Sequence, residues 1–449
     1  VGREGVVAMP MFNNSTVSRA GNARIAVIGC SYEAFNGLST IGANSYSYHQ
    51  TGYVNWANIA LGGVLRVDNY GVGGETTAAV HARVAGILAV TTASFVLVAG
   101  GMENDAQDAG LTTKPLAIAR AVSDFGILLQ DYAAVLSAGR QLITRTCAPR
   151  GPGASPTAYT RTYQHTISAL IREWSVSHCV PCLDLHAILT DPSTGNGIAS
   201  GAYGYNDSAI STSDNTHMTF TGTANAGAEL ARLLAPLLPL SVTAFAGGPE
   251  DVYDATNAPY GNLVANGKWL GTSGTLAGGV TGSLATSWAV SGGSIVTPAG
   301  GAVTVSKVND RRPRSRGEWQ QMSMTGTTRG QCAVNQSGTI PAGLIGKTLY
   351  MSTEAQFDAA NWGGASGAIG TIPSLSLAIY DAGFAHLLAT YSIFGTQPGA
   401  DSTVVPPDGV LFMDGILIPT SAVYWILTVN LFGVGVMRYG NTQLRPAYP

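Results

Sequence analysis

The hydrophobic pattern of the chain changes near residue 245, and this change limits the folds that are open to it. Before that point, short apolar runs alternate with segments whose apolar residues recur every three or four positions. The runs lie at 25–28, 95–99, 141–146 and 180–185, and the segments at 76–89, 116–136, 161–177 and 223–238. This alternation of strands and helices predicts a three-layer α/β fold, in which helices cover both faces of a parallel sheet.

After residue 245 the helical period stops. Short strands separated by Gly, Ser and Thr turns are predicted at 302–308, 349–357, 375–380, 386–393 and 424–431. This pattern is typical of an all-β jelly roll or β-sandwich. The sequence therefore predicts an N-terminal arm or linker at 1–22, an α/β domain at 23–245 and an all-β domain at 246–449.

Charged residues make up only 11% of the chain, and Lys+Arg 23 against Asp+Glu 26 gives a net charge of −3. Soluble domains typically contain about 25% charged residues. The chain therefore has no basic surface for nucleic acid, and we expect no such partner. The apolar run at 423–437 is too short and too polar to span a bilayer, and the first 20 residues lack the pattern of a signal peptide.

Five cysteines do not indicate a disulfide-based fold. Cys179 and Cys182 form a CxxC pair, which would suit a redox pair or a small disulfide. The apolar run around them favours a buried strand with small thiol side chains. Because no second pair lies at ligand spacing, we expect no zinc site, and no sequence motif calls for a cofactor.

Four short blocks contain the residues that could carry chemistry. The first strand ends in Gly29-Cys30-Ser31, and the second block runs from Asn69 to Gly74-Glu75-Thr76. The third is Gly100-Gly101-Met102-Glu103-Asn104-Asp105, and the last is Asp214-Asn215-Thr216-His217, just before the final helix of the first half. Each block alone is explained by a helix cap or a turn. The four together, in this order, favour a functional site.

In these blocks the sequence resembles the SGNH (GDSL-type) hydrolase family over residues 23–240. The resemblance implies a flavodoxin-like parallel sheet and a serine esterase. By this resemblance Ser31 is the nucleophile, His217 its base and Asp214 the residue that orients the base. The oxyanion hole is then formed by Ser31, Gly74 and Asn104.

The chemistry of these residue types agrees with those roles. Polar groups collect where parallel strands end, so distant blocks can meet at one edge of the sheet. A serine hydroxyl needs a base to become a nucleophile, and an imidazole held by a carboxylate provides one. Two positions depart from the family pattern: Cys30 stands where the family has Asp, and Met102 where it has Gly. Cys30 is an alternative nucleophile, although no second histidine is placed for it by motif.

The second half resembles jelly-roll carbohydrate-binding modules near residues 262–269 and 424–444. Its weakly supported candidates for sugar stacking are aromatic, with core packing as the alternative for each: Trp269, Trp288, Trp319, Trp362 and Tyr439.

An esterase joined to such a module predicts removal of O-acetyl groups from a polysaccharide. The expected setting is extracellular or a virion, as a secreted enzyme, a homo-oligomer or a phage-like particle component. Two alternatives stay open: a lipid or thioester hydrolase, and a catalytically silent glycan-binding spike protein.

Overall fold

The structure is a computed structural model. It describes residues 23–49, 51–151, 156–198, 216–238, 251–290, 295–308, 317–358, 362–363, 371–394, 405 and 408–447. The predicted arm at 1–22 and the predicted linker near residue 245 lie outside these ranges.

The described part of the first half contains strands and helices in alternation. Its strands are β1 Ala23–Gly29, β2 Leu38–Gly42, β3 Ser45–Tyr48, β4 Leu65–Gly71, β5 Phe95–Gly100, β6 Gln141–Arg145 and β7 Cys182–Leu183. Its helices are α1 Ser31–Ala34, α2 Tyr53–Ala60, α3 Thr77–Val90, α4 Met102–Asp105, α5 Lys114–Ser137, α6 Ala158–Ser177, α7 Leu185–Leu189 and α8 Phe220–Leu234.

Five of these strands form a parallel sheet in the order β4-β1-β5-β6-β7. Alternate residues of β1 enter two separate cores: Ile25 and Val27 on one face, and Ala26 and Ile28 on the other. Helices cover both faces, as expected for a parallel sheet that is buried on each side. The predicted three-layer α/β fold is therefore confirmed.

The predicted strand at 180–185 is shorter than expected. Only β7, Cys182–Leu183, joins the sheet, while Cys179 is exposed and has a φ of +54°. The prediction that both cysteines lie in a buried strand is therefore wrong for Cys179, which occupies the turn after α6. Both thiols are free.

The second half consists of strands in two sheets. Its strands are β8 Ser273–Thr275, β9 Thr281–Gly282, β10 Leu284–Val290, β11 Val303–Val308, β12 Trp319–Met324, β13 Gly330–Thr339, β14 Thr348–Phe357, β15 Ile372–Tyr380, β16 Leu387–Ile393, β17 Gly409–Leu417, β18 Tyr424–Gly433 and β19 Gly435–Pro446. One sheet has the order β2-β3-β16-β15-β18-β13-β10-β8 and the other β17-β14-β19-β12-β11-β9. Apolar residues of both sheets share one core, so the arrangement is a β-sandwich, as predicted.

A hairpin of the first half belongs to the larger of these sheets. Strands β2 and β3 pair with each other, and β3 pairs in parallel with β16. The hairpin begins four residues after α1 ends, so the chain leaves the first half and returns to it within residues 35–53. The division at residue 245 stays a prediction. The hairpin lies before this position in the sequence, but it pairs with a strand that lies after it.

The two halves also share a buried interface. Trp56 of α2 stacks on Phe394 of the second half at a centroid distance of 4.2 Å and meets Phe220 of α8 edge-on at 4.6 Å. The backbones approach closely here, because a Cβ added at Gly409 would lie 2.1 Å from the carbonyl oxygen of Ile59. Core residues of the first half are therefore part of the core of the second.

Among the helices that the structure describes, none has the length and apolar character that a membrane crossing would require.

Candidate active site

Ser31 and His217 meet at the carboxyl edge of the parallel sheet. Strand β1 ends at Gly29, and Ser31 opens the short helix α1 directly after it. The Oγ atom of Ser31 lies 2.8 Å from Nε2 of His217, although 186 positions separate the two residues in the chain. Both side chains are partly exposed, so the pair is open to a substrate.

Contacts from α1 fix the segment that carries His217. The hydroxyl of Tyr32 donates to the carbonyl oxygen of Thr216. The ring of Tyr32 lies 5.5 Å from that of His217, and the ring of Phe35 meets His217 edge-on at 5.8 Å. Arg150 Nη2 donates to Thr216 Oγ1 at 2.6 Å. The nucleophile segment and the imidazole segment therefore hold each other in place.

Asp214, predicted to orient the imidazole, lies outside the described residues. Its role stays a prediction.

Gly74 lies in the exposed turn between β4 and α3. Its φ is +81°, a left-handed conformation that favours glycine, and a Cβ added there would have no atom within 4 Å. At the neighbouring Gly73 an added Cβ would lie 3.9 Å from Ser31 Cβ. The turn thus passes beside the Ser31 side chain and leaves open space above the backbone.

Asn104 lies in the short helix α4, which follows β5. Its Nδ2 donates to the carbonyl oxygen of Glu75 at 2.8 Å, so its amide is tied to the turn that carries Gly74. Gly101, which precedes α4, has no room for a side chain, since an added Cβ would lie 2.1 Å from that same carbonyl oxygen. Gly101 therefore allows the close approach, while Met102 is a buried core residue.

Below the site lies a group of buried charges that sequence reasoning missed. Arg145, at the end of β6, pairs with Glu33 at 2.9 Å and with Glu103 at 2.5 Å. Burial raises the pKa of Glu33 to about 7, against the opposing effect of Arg145. Burial acts in the same direction on Glu103, but Arg145 and the Ala148 N–H outweigh it and hold the pKa of Glu103 below its usual value. The one available signal was position in the sequence, since Glu103 lies inside the third motif block and Glu33 lies two residues after the first.

The structure argues against Cys30 as the nucleophile. Its side chain is fully buried, and Sγ lies 3.5 Å from Glu103 Oε2. Burial and the two nearby carboxylates, Glu103 and Glu33, raise the pKa of the thiol well above its usual value. Because the thiolate is the reactive form, this thiol is poorly suited to attack a substrate.

The five aromatic residues predicted to stack on sugars are core residues. All are at most 4% exposed: Trp269, Trp288, Trp319, Trp362 and Tyr439. Trp269 and Trp288 stack on each other at a centroid distance of 3.7 Å. A buried ring cannot stack on a sugar, so this prediction is corrected. The second half does contain a polar cavity of about 280 Å³, lined by Gln356, Phe357, Asp358, Asp408 and Arg438.

No metal-binding group stands out in the part of the chain that the structure describes. Within it, no cluster of three or more His, Cys, Asp or Glu side chains is placed to hold an ion.

Comparison with known structures gives matches at low identity that each cover about half of the chain or less. A lipase/acylhydrolase from Enterococcus faecalis is 18% identical and covers 49% of this chain and 98% of its own, with a TM-score of 0.34. A member of the lipolytic protein G-D-S-L family from Veillonella parvula is 10% identical and covers 47% and 98%, with a TM-score of 0.35. The enzymatically active domain of tailspike protein 4 of bacteriophage CBA120 is 15% identical and covers 41% and 21%, with a TM-score of 0.28.

No curated protein matches the chain. Residues 39–222 match the sequence model of the GDSL-like Lipase/Acylhydrolase family. The match includes Gly74, Asn104 and His217, and it begins just after the segment that carries Ser31. Over residues 39–222 the chain is therefore similar to the GDSL-like lipase/acylhydrolase family, and this similarity indicates a carboxylic ester hydrolase.

Proposed function

We propose that this protein is a serine esterase that removes O-acetyl or other short acyl groups from a polysaccharide or glycan through an acyl-enzyme. The observation that carries the proposal is the 2.8 Å contact between Ser31 Oγ and His217 Nε2. The acylhydrolase match of residues 39–222 supports the same reaction class.

In the first step, His217 Nε2 takes the proton of Ser31 while Oγ bonds to the carbonyl carbon of the ester. The imidazolium then gives that proton to the departing sugar oxygen, and the acyl group stays on Ser31. The imidazole next takes a proton from a water molecule whose oxygen bonds to the acyl carbon. The bond from that carbon to Ser31 Oγ breaks, the imidazolium returns the proton to Oγ, and acetate leaves. Asp214 is proposed to accept the other ring N–H and to stabilise the imidazolium.

The negative oxygen formed in each step needs donors that are already in place. We assign this role to the backbone N–H groups of Ser31 and Gly74 and to the amide of Asn104. The Asn104 amide nitrogen carries two hydrogens, so its bond to Glu75 leaves a second N–H for the substrate. The tie to Glu75 holds this donor in a fixed orientation relative to the Gly74 turn.

The surroundings of the pair favour a small acyl group on a large substrate. Gly73 and Gly74 are exposed, and no atom lies within 4 Å of the position of a Gly74 Cβ. Such an open turn gives room for a polymer chain beside the scissile ester. The polar cavity of the second half, with Arg438 and two aspartates in its lining, offers groups that suit the hydroxyls of a glycan.

The setting that we propose with this activity is outside the cell, as a secreted enzyme or a virion component, alone or as a homo-oligomer. The composition of the chain is compatible with this setting, since only 11% of its residues are charged.

The test is release of acetate from an acetylated polysaccharide and from nitrophenyl acetate. Ser31→Ala and His217→Ala are each expected to lower kcat by at least about 10⁴-fold, because neither group of such a pair acts without the other. Ser94→Ala is the matched control: Ser94 precedes β5 at the opposite end of the sheet, and its kcat should stay at the wild-type value.

Further outcomes separate the alternatives. A preference for long acyl chains or thioesters would identify a lipid or thioester hydrolase. Glycan retention without turnover, and without labelling of Ser31 by a fluorophosphonate, would identify a silent binding or spike protein. Near-wild-type activity in both Ser31→Ala and His217→Ala would contradict the assignment.

A further inference from the structure

A buried guanidinium lies between two buried carboxylates below the active-site edge of the sheet. The side chains of Arg145, Glu33 and Glu103 are at most 1% exposed. Nε and Nη2 of Arg145 lie 2.9 Å and 3.2 Å from the two carboxylate oxygens of Glu33. Nη1 and Nη2 lie 2.5 Å and 3.2 Å from those of Glu103. Glu103 therefore accepts two hydrogen bonds from the guanidinium, whereas Glu33 accepts one from Nη2 and pairs with Nε by charge.

Each carboxylate belongs to a short helix that carries a proposed catalytic group. Glu33 lies two residues after Ser31 in α1, and its Oε2 accepts the N–H of Cys30 at 3.1 Å. Glu103 directly precedes Asn104 in α4, and its Oε1 accepts the N–H of Ala148 at 2.8 Å. The ion cluster thus connects the nucleophile helix to the helix of the oxyanion amide.

Stability alone does not explain such a cluster. Replacing a buried ion group by apolar residues of similar volume is often neutral or even stabilising, because removing charges from water is costly. Charges are also scarce in this chain, at 11% of its residues. The position of this cluster suggests that it holds neighbouring active-site groups in a fixed arrangement.

We infer that Arg145 is a positioning residue of the esterase reaction, which aligns the Ser31 nucleophile with the Asn104 oxyanion donor through Glu33 and Glu103. This inference rests on the proposed function. Short helices of four residues, such as α1 and α4, have little internal hydrogen bonding with which to hold their own orientation. The guanidinium provides the rigid connection that they lack.

Arginine is specific for this task. Its planar group presents five N–H donors in a fixed fork, whereas a lysine ammonium is a point charge that does not bind two carboxylates in this planar way. Lysine at position 145 would keep the charge and lose the fixed separation of the two helices. A shift of about 1 Å in a catalytic group lowers rates by about 100-fold.

The experiment compares Arg145→Lys with the wild type in nitrophenyl acetate hydrolysis. We expect kcat to fall by about 10- to 100-fold, with KM within about twofold of the wild type, because alignment acts on the transition state and not on initial binding. The rate of Ser31 labelling by a fluorophosphonate should fall in parallel. The matched control is Arg445→Lys, which changes a buried arginine that pairs with Asp251 in the second half and should leave kcat unchanged.

Circular dichroism and thermal unfolding test whether Arg145→Lys is folded. If it is not, the uncharged variant Glu33→Gln, Glu103→Gln, Arg145→Met removes the buried charges together, and the same fall in kcat is expected of it. A folded variant of either kind with kcat within twofold of the wild type overturns the inference.

The outcome for Ser31→Ala separates this inference from the proposed function. If Ser31→Ala keeps activity, the proposed function fails. If Ser31→Ala is inactive while Arg145→Lys turns over like the wild type, the positioning role alone fails.

Discussion

The two halves of the molecule fill their interiors in different ways. Below the carboxyl edge of its parallel sheet, the first half buries the charges of Glu33, Glu103 and Arg145. The second half fills its core with large rings, among them Trp269 and Trp288 in a stacked pair. Rings give cohesion that tolerates small shifts, whereas charges give directional contacts that fix atoms in place. The buried ion pairs, which cost free energy of desolvation, therefore lie where the proposed chemistry needs fixed geometry.

The interface between the halves is filled by aromatic and aliphatic side chains, like the interior of the second half. Trp56 and Ile59 of α2 and Phe220 of α8 are part of the sandwich core. Because α8 begins three residues after His217, the second half supports the segment that carries the imidazole. The comparison therefore predicts that the halves depend on each other for stability.

The largest expected effect is that of removing the second half. A chain that ends at residue 238 would expose the rings of Trp56 and Phe220 and leave β3 without its partner β16. We expect it to aggregate or to lack cooperative unfolding, as measured by size-exclusion chromatography and circular dichroism. A monomeric, cooperatively folded and active fragment would show that the first half is independent.

The next effect is on catalysis. Asn104→Ala removes a proposed oxyanion donor and should lower kcat by about 100-fold, with little change in KM. Asn58→Ala is the matched control, because Asn58 binds the N–H and carbonyl of Leu65 at 2.8 Å and 3.0 Å, away from the site. It should lower the melting temperature and leave kcat unchanged. A kcat for Asn104→Ala equal to that of the wild type would remove the amide from the mechanism.

A smaller effect is expected from the aromatic interface. Phe394→Ala removes a ring that is 2% exposed and stacks on Trp56, at a cost of about 3–5 kcal/mol in the free energy of unfolding. Phe384→Ala offers a control, since that phenylalanine also has a positive φ but is 47% exposed. Urea unfolding of both variants measures the difference, and equal losses would argue against a shared core.

The smallest effect is on the pH dependence of stability. Glu33 faces Glu103, Arg145, Tyr53 and Cys30, and burial raises its pKa from 4.5 to about 7. Between these values the folded chain holds a proton that the unfolded chain has lost. The contribution of Glu33 to stability therefore falls as pH rises through this window.

Glu33→Gln cannot ionise, so its melting temperature should fall less than that of the wild type between pH 4.5 and 7. Thermal unfolding across this range measures the difference. Glu173→Gln, on the exposed side of α6, should follow the wild type. Parallel curves for Glu33→Gln and the wild type would contradict the expected titration.

The sequence was most informative where local pattern and topology agree. Periodicity predicted β1, β5 and β6 and the long helices α3, α5 and α6, because each buries a regular apolar face. The approach of Ser31 to His217 was expected from the family resemblance, and it agrees with the position of Ser31 just after a parallel strand.

What the sequence did not predict depends on contacts between distant residues. The β2–β3 hairpin was missed because its segment is polar and its partner β16 lies more than 300 positions away. The Arg145 cluster was missed because a sequence shows a charge without showing what faces it. For the tryptophans of the second half, sequence left sugar stacking and core packing both open, because the same residue type serves exposed platforms and cores.

Because β2 and β3 belong to a sheet of the second half, they limit how the halves of such proteins can be exchanged to make chimaeras. The segment that follows the nucleophile supplies two strands to the neighbouring sheet, so an exchange of either half at residue 245 would leave an unmatched sheet edge. Chimaeras in which the β2–β3 hairpin and the β-sandwich come from the same protein would keep this sheet complete. The junctions to choose for them therefore lie around residues 35 and 53, in addition to the linker.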